Sequence, residues 1–150
     1  GVPEPDPVLE ISVDGYIPDD YIADPRYKLE LYRRFAELDY AERGDLLDEI
    51  IDRFGEPPEE VEVLWRVACL RALCRRLRIR GISVKPGELR ITFAEHAAID
   101  PAALIQIISE QQQYMNFKSG VQAQLVFRTV KLKTDGLTWL EKNLPRLDFN

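Results

Sequence analysis

Around Leu77 the apolar residues change period, and that change restricts the chain to folds that join helices to an antiparallel sheet. From Glu59 to Leu77 the spacing is helical: Val63, Val67, Leu70, Cys74 and Leu77 form one stripe, and Val61, Leu64, Trp65 and Ala68 another. Polar residues such as Glu60, Arg71, Arg75 and Arg78 are confined to narrow strips. A helix with so little wettable circumference is predicted to be central and packed on two sides, with Trp65 substantially buried. Immediately beyond it, Ile82 and Val84, then Leu89, Ile91 and Phe93, repeat every two residues around Pro86-Gly87. That is the pattern of a hairpin.

The remaining segments fit the same plan. Pro3-Glu4-Pro5-Asp6-Pro7 reads as a stiff, extended lead-in over residues 1–7, and residues 8–150 as one domain. VLEISV over 8–13 alternates as a short strand. Asp24-Pro25 supplies a cap and a first-turn proline for a helix over about 26–38, with Leu31, Phe35 and Leu38 on one face. A second helix, about 41–54, stops at Gly55, where a left-handed terminating residue belongs. Pro57-Pro58 restarts the chain before the long helix, whose first turn holds Glu59 and Glu60 at the positive end of the dipole. Asp100-Pro101 opens a fourth helix to about Gln113, with Leu104, Ile105 and Ile108 facing inward. Strands over about 115–118 and 121–130 turn at Ser119-Gly120, and Leu137, Leu140 and Leu144 mark a last helix. The predicted class is α+β: an antiparallel sheet from two hairpins with helices mainly on one face, and a helix-hairpin unit that occurs twice.

Charge narrows the function. The net charge of -6 weighs against a dedicated nucleic-acid binder, which gains affinity by neutralising phosphates. Acids and bases are segregated. Residues 37–62 hold eleven acids against Arg43 and Arg53, whereas residues 66–90 hold seven Arg and Lys85 against Glu88 alone. An accessory nucleic-acid-binding role for the basic stretch is the alternative reading. No apolar run is long enough to span a membrane, so the expectation is a cytoplasmic chain with no membrane partner.

Catalytic signals are weak. The one histidine, His96, has no second histidine near it and reads as a loop residue. The eight glycines form no phosphate-cradling motif. Cys69 and Cys74 lie five apart on a helix and read as small buried hydrophobes, not a disulfide or metal pair. The expectation is a domain with no catalytic residue, cofactor or metal.

The second helix is more informative. Leu47, Ile50, Ile51 and Phe54 form its apolar stripe, while Asp45, Asp48, Glu49 and Asp52 repeat at the same spacing on another face. Like charges three and four apart repel by a few tenths of a kcal/mol per pair, about 0.2–0.5. Solubility does not require such a face, since mixed Glu and Lys would serve. By spacing alone, a solvated face and a face built to meet arginines both remain open.

A resemblance shifts that balance. Ile17-Pro18, Tyr21-Ile22, Leu31-Tyr32-Arg33-Arg34 and Glu49 followed by Asp52-Arg53-Phe54-Gly55 with Pro58 closely resemble the carboxy-terminal domain of bacterial transcription-repair coupling factors (Mfd). The likeness loosens through LRALCRRLRIRGISV and RITFAEH and fades after about residue 115. Lys28, Ile50 and Pro57 depart from the family pattern without removing a functional group. The resemblance implies a non-catalytic, autoinhibitory part of an ATP-dependent DNA translocase. Such a domain docks on the UvrB-like module of its own polypeptide and masks the surface that UvrA binds, and it needs no direct nucleic-acid contact. Glu49 and Asp52 carry over as contacts, and Asp45 and Asp48 complete the expected protein-binding face.

Overall fold

A computed structural model describes residues 6–129 and 134–149. The predicted lead-in therefore lies mostly outside the described residues, as does the last position of the strand expected over 121–130. The chain divides into two compact units. One is Val13–Ala72, and the other joins the residues up to Ser12 to those from Leu73 onward.

The unit of residues 13–72 is helical. The Asp24 carboxylate accepts from the Arg26 N–H at 2.9 Å, and Pro25 opens α1 (Pro25–Ala36). Asp39 caps a single 3₁₀ turn, Tyr40–Glu42, which leads into α2 (Arg43–Phe54). Gly55 ends α2 with φ +87° and ψ -177°, and its N–H reaches the Ile51 carbonyl at 2.9 Å. The positive φ matches the sequence reading, but ψ is extended and not left-handed helical, so the chain leaves α2 straight. The long helix α3 (Glu59–Leu77) follows and supplies Val61, Ala68 and Ala72 to this unit's core, beside Ile17, Ile22, Leu31, Phe35, Leu38, Leu46 and Ile50. Trp65 is half-buried, packed against that core, with its indole N–H donating to the Arg43 carbonyl at 2.9 Å.

The apolar stripe of α2 needs one correction. Ile50 is buried as expected, but its companion is Leu46, and Leu47, Ile51 and Phe54 are half-buried. The packing seam follows the i, i+4 pair Leu46–Ile50, which leaves Leu47 and Ile51 on its flank.

The other unit is built on a five-stranded sheet in the order β1-β2-β3-β5-β4, formed by β1 (Val8–Ile11), β2 (Ile79–Lys85), β3 (Glu88–Phe93), β4 (Met115–Lys118) and β5 (Gln124–Arg128). Both predicted hairpins are present, and β3 joins them by pairing antiparallel with β5. The order β2-β3-β5-β4 is symmetric about the β3/β5 seam, as two helix-hairpin units related by a two-fold would be. β1 adds to the β2 edge in parallel. Alternation sets the two faces apart: Ile82, Leu89, Ile91, Phe93, Leu125 and Phe127 are buried, and their neighbours in sequence are not. The buried face is covered by α4 (Pro101–Glu110), α5 (Gly136–Asn143) and a closing 3₁₀ helix, Leu144–Leu147. Trp139 of α5 stacks on Phe127 with centroids 5.0 Å apart. Leu137, Leu140 and Leu144 are all buried, as their spacing predicts.

In α4 the inward set differs from the expected one. Leu104 is buried and Ile108 half-buried, but Ile105 is 67% exposed and Ile107 is 2% exposed. Leu104, Ile107 and Ile108 share an arc of about 100°, and Ile105 lies about 60° beyond its Ile108 edge at 3.6 residues per turn. The helix also ends at Glu110, before the predicted Gln113.

Candidate protein-docking surface

On α2, Asp45, Asp48, Glu49 and Asp52 do share one arc, opposite the Leu46–Ile50 seam. Asp45, Asp48 and Asp52 are exposed and have no ion pair among the described residues. Glu49 differs. Arg34 of α1 approaches it with both terminal nitrogens, Nη1 to Oε2 at 2.5 Å and Nη2 to Oε1 at 3.3 Å. Arg53, one turn on, lies 3.5 Å from the same Oε2 and from Oε1 of Glu30. Hydrogen bonding from Arg34 holds the Glu49 carboxyl below the usual carboxylate range, and Arg53 adds to the effect. The same bond raises the Arg34 guanidinium.

Several contacts fix the frame of this face. Tyr21 donates its hydroxyl hydrogen to the Gly55 carbonyl at 2.6 Å, and its ring meets Phe54 at 6.2 Å. Arg53 stacks over the Phe54 ring at 4.9 Å. At the other end of α2, Arg43 lies 3.8 Å over the Tyr40 ring and donates to the Tyr40 carbonyl at 2.7 Å. Between α1 and the start of α2 is a cleft of about 430 Å³ lined by Arg34, Glu37, Leu38, Glu42, Asp45, Leu46 and Glu49. Four carboxylates thus face one arginine. Glu37 and Glu42 were not singled out from the sequence: Glu37 precedes the predicted helix, and Glu42, inside its predicted start, lies in the structure in the 3₁₀ turn ahead of α2. Arg34 was legible only as part of the Leu-Tyr-Arg-Arg motif.

No three His, Cys, Asp or Glu side chains among the described residues converge as a metal site would require. His96 is exposed in the turn after β3, and Cys69 and Cys74 form no disulfide, Cys74 being buried and Cys69 half-buried. No described helix is long and apolar enough to cross a membrane.

The family of TRCF domains matches residues 11–104. This chain belongs to the TRCF domain family. Its relatives include the transcription-repair-coupling factor of Bacillus subtilis, 37% identical over 93 residues, which are 61% of this chain and 8% of that protein. The Mycobacterium tuberculosis factor is 45% identical over 76 residues, 50% of the chain and 6% of the relative. The Escherichia coli factor is 28% identical over 143 residues, 95% of the chain and 12% of the relative. The TRCF chain therefore spans a small fraction of the length of these relatives. A crystal structure of the C-terminal domain of transcription-repair coupling factor superposes with a TM-score of 0.76 at 23% identity, covering 96% of this chain and 94% of that one. The fold likeness thus runs well past residue 104, where the family match stops.

The motif residues of this TRCF domain touch one another. Tyr21, Phe54 and Gly55 form one contact group, and Arg34, Glu49 and Arg53 another. Asp52 sits inside the same motif with no such internal partner.

Proposed function

We propose that this domain is the non-catalytic, autoinhibitory interaction domain of a transcription-repair coupling factor, acting in transcription-coupled excision repair in the bacterial cytoplasm. Its acidic α2 face docks on the UvrB-like module of the same polypeptide and masks the surface used by UvrA. One observation carries the reading: Asp45, Asp48 and Asp52 stay exposed and uncompensated on one helical arc, while Glu49 beside them has drawn two arginines of its own chain. Internal packing accounts for Glu49 and leaves the aspartates unexplained. A surface of arginines would offset their mutual repulsion. Glu49 joins as a shared acceptor, since a carboxylate offers about four lone-pair sites and its internal partners use only some of them. Polar contacts of this kind suit a clamp that opens.

The test reverses Asp48 and Asp52 to Lys in the full-length factor, which leaves the Arg34–Glu49 bridge in place. Breaking partly buried interface charge pairs costs about 2–5 kcal/mol, and about 2.8 kcal/mol shifts a closed state a hundredfold. UvrA binding should rise by one to two orders of magnitude while the domain melts as before. Unchanged UvrA binding with an unchanged melt would show that this face is not the clamp.

The alternative, an accessory nucleic-acid-binding domain using residues 66–90, draws less support. Arg75 is paired with Asp6 at 2.9 Å and Arg76 with Asp148 at 3.2 Å, so those arginines are committed within the fold.

A further inference from the structure

One face of the sheet carries only exposed or half-buried side chains among the described residues, and its charges are arranged unlike those elsewhere in its unit. Strand register defines it row by row: Lys118, Gln124, Thr92 and Gly81 align across the sheet, as do Asn116, Val126, Arg90 and Ser83, and then Arg128, Glu88 and Lys85. Directly opposed residues share a face. Arg80, at the β2 irregularity, lines a concavity of about 440 Å³ on this face together with Lys85, Glu88, Arg90 and Glu10. Five cations thus meet two acids on the open face of a domain whose net charge is -6.

The cations are poised for a partner. In the same unit Arg75, Arg76 and Arg146 are ion-paired with Asp6, Asp148 and Glu110. On the open face Arg80, Lys85, Lys118 and Arg128 are exposed and have no ion pair among the described residues. Arg90 is held in place by Gln124 at 2.9 Å and Glu88 at 3.2 Å, and Gln124 in turn donates to Thr92 at 3.2 Å. A guanidinium fixed in this way loses little freedom when its remaining N–H groups are used.

We infer that this open face is a second docking surface, separate from the acidic α2 face, and that it takes an acidic polypeptide segment. Two features select polypeptide over nucleic acid. Glu10 and Glu88 interrupt the cations, and a phosphate backbone with a charge on every unit would meet them, whereas carboxylates can be spaced to avoid them. The domain's overall negative charge also opposes the approach of a long polyanion. Lys85 and Arg128 flank Glu88 from two strands apart, roughly 10 Å at about 4.8 Å per strand. A polyproline-II segment with acids at every third residue presents them about 9.3 Å apart on one side, which fits that pair.

The experiment titrates the whole chain into a labelled peptide of Glu-Pro-Pro repeats by fluorescence anisotropy, with a Gln-Pro-Pro peptide and an oligothymidylate as comparators. The Glu peptide should bind, weakening as salt rises, and the Gln peptide should not. Charge reversal, Arg80→Glu with Arg128→Glu, should weaken binding at least tenfold without moving the melt, since both side chains are exposed. Glu88→Gln should strengthen it severalfold, a gain that no folding defect could produce. Equal or tighter binding of the oligothymidylate would replace the polypeptide with phosphate chemistry. Absent Glu-peptide binding, or binding indifferent to all three substitutions, would make this an ordinary solvated face.

Discussion

The two units solve the same problem of burial by opposite means. In Val13–Ala72 the core is assembled by three helices whose capping groups and apolar stripes are local, and the surface is knitted by Arg34–Glu49, Arg53–Glu30 and the arginine–ring contacts at Phe54 and Tyr40. In the sheet unit the core rests on pairings distant along the chain: β1 against β2, β3 against β5, Phe127 against Trp139. The helical unit commits cations to its own acids and leaves aspartates exposed. The sheet unit leaves cations exposed on its open face. The same chain therefore presents two surfaces of opposite sign, and each invites a partner of the other sign.

The comparison is sharpest where a core residue is removed. Leu89, in the central strand β3, is fully buried, and Leu89→Ala should cost about 2–5 kcal/mol. Each unit holds one tryptophan, Trp65 or Trp139, so urea unfolding in Trp65→Phe and Trp139→Phe backgrounds reads the units separately. Trp139 fluorescence should shift to lower urea. If both tryptophans shift by the same amount, the units unfold as one, and the contrast drawn between them has no thermodynamic content.

Two glycines come next, each irreplaceable for a different reason. A Cβ on Gly136 would stand 2.7 Å from Val84 Cγ1, so Gly136→Ala overpacks the sheet unit by about 1–3 kcal/mol. Gly55 has open space around it but a φ of +87° with extended ψ, which L side chains avoid at a cost of about 1–3 kcal/mol. Val84→Ala should rescue much of the Gly136→Ala loss in a double-mutant melt, and no neighbouring truncation should rescue Gly55→Ala. Rescue of the second would mean that its strain is steric after all.

Smaller effects test the ion pairs. Because the folded-state pKa of Glu49 lies below its unfolded value, the bridge to Arg34 stabilises fully at neutral pH. That stabilisation fades as pH falls through the carboxylate range toward the folded value. The pair is partly exposed, so Glu49→Gln should lower stability at pH 7 by at most about 1 kcal/mol. The gap from the parent should close below about pH 4. Glu110, held low by Arg146, should behave in the same direction in the sheet unit. A gap that persists at low pH would assign the loss to packing.

The smallest expected change is at Arg78, which follows α3 with φ +56°. Arg78→Gly removes that strain and should raise the unfolding free energy slightly, by a few tenths of a kcal/mol to about 1 kcal/mol, read as a small rise in melting midpoint. A fall would show that the arginine side chain contributes more than its backbone costs.

Much of this architecture could be read from local chemistry. Asp24-Pro25, Asp100-Pro101 and Gly55 mark helix ends because a cap acts on backbone groups within a few residues. The change of period at Leu77 placed the first hairpin for the same reason, since alternation depends on nearest neighbours. The acidic arc of α2 was equally legible, being a matter of spacing on one helix.

What the amino-acid sequence determined by itself is therefore the set of elements, the α+β class and, through its motif, membership of the TRCF domain family. Tertiary structure decided which elements meet. Nothing near β3 in sequence specifies β5 as its neighbour, nor that β1 should run parallel to β2 across some seventy residues. Likewise Arg34 lies 15 residues from Glu49, and only the packing of α1 on α2 turns one of four similar carboxylates into an internal ion pair. The open sheet face belongs to the same class: its cations come from β2, β3, β4 and β5, and only strand register brings them together. Caps and periods act over a few bonds, whereas these juxtapositions act through space, after the intervening chain has folded.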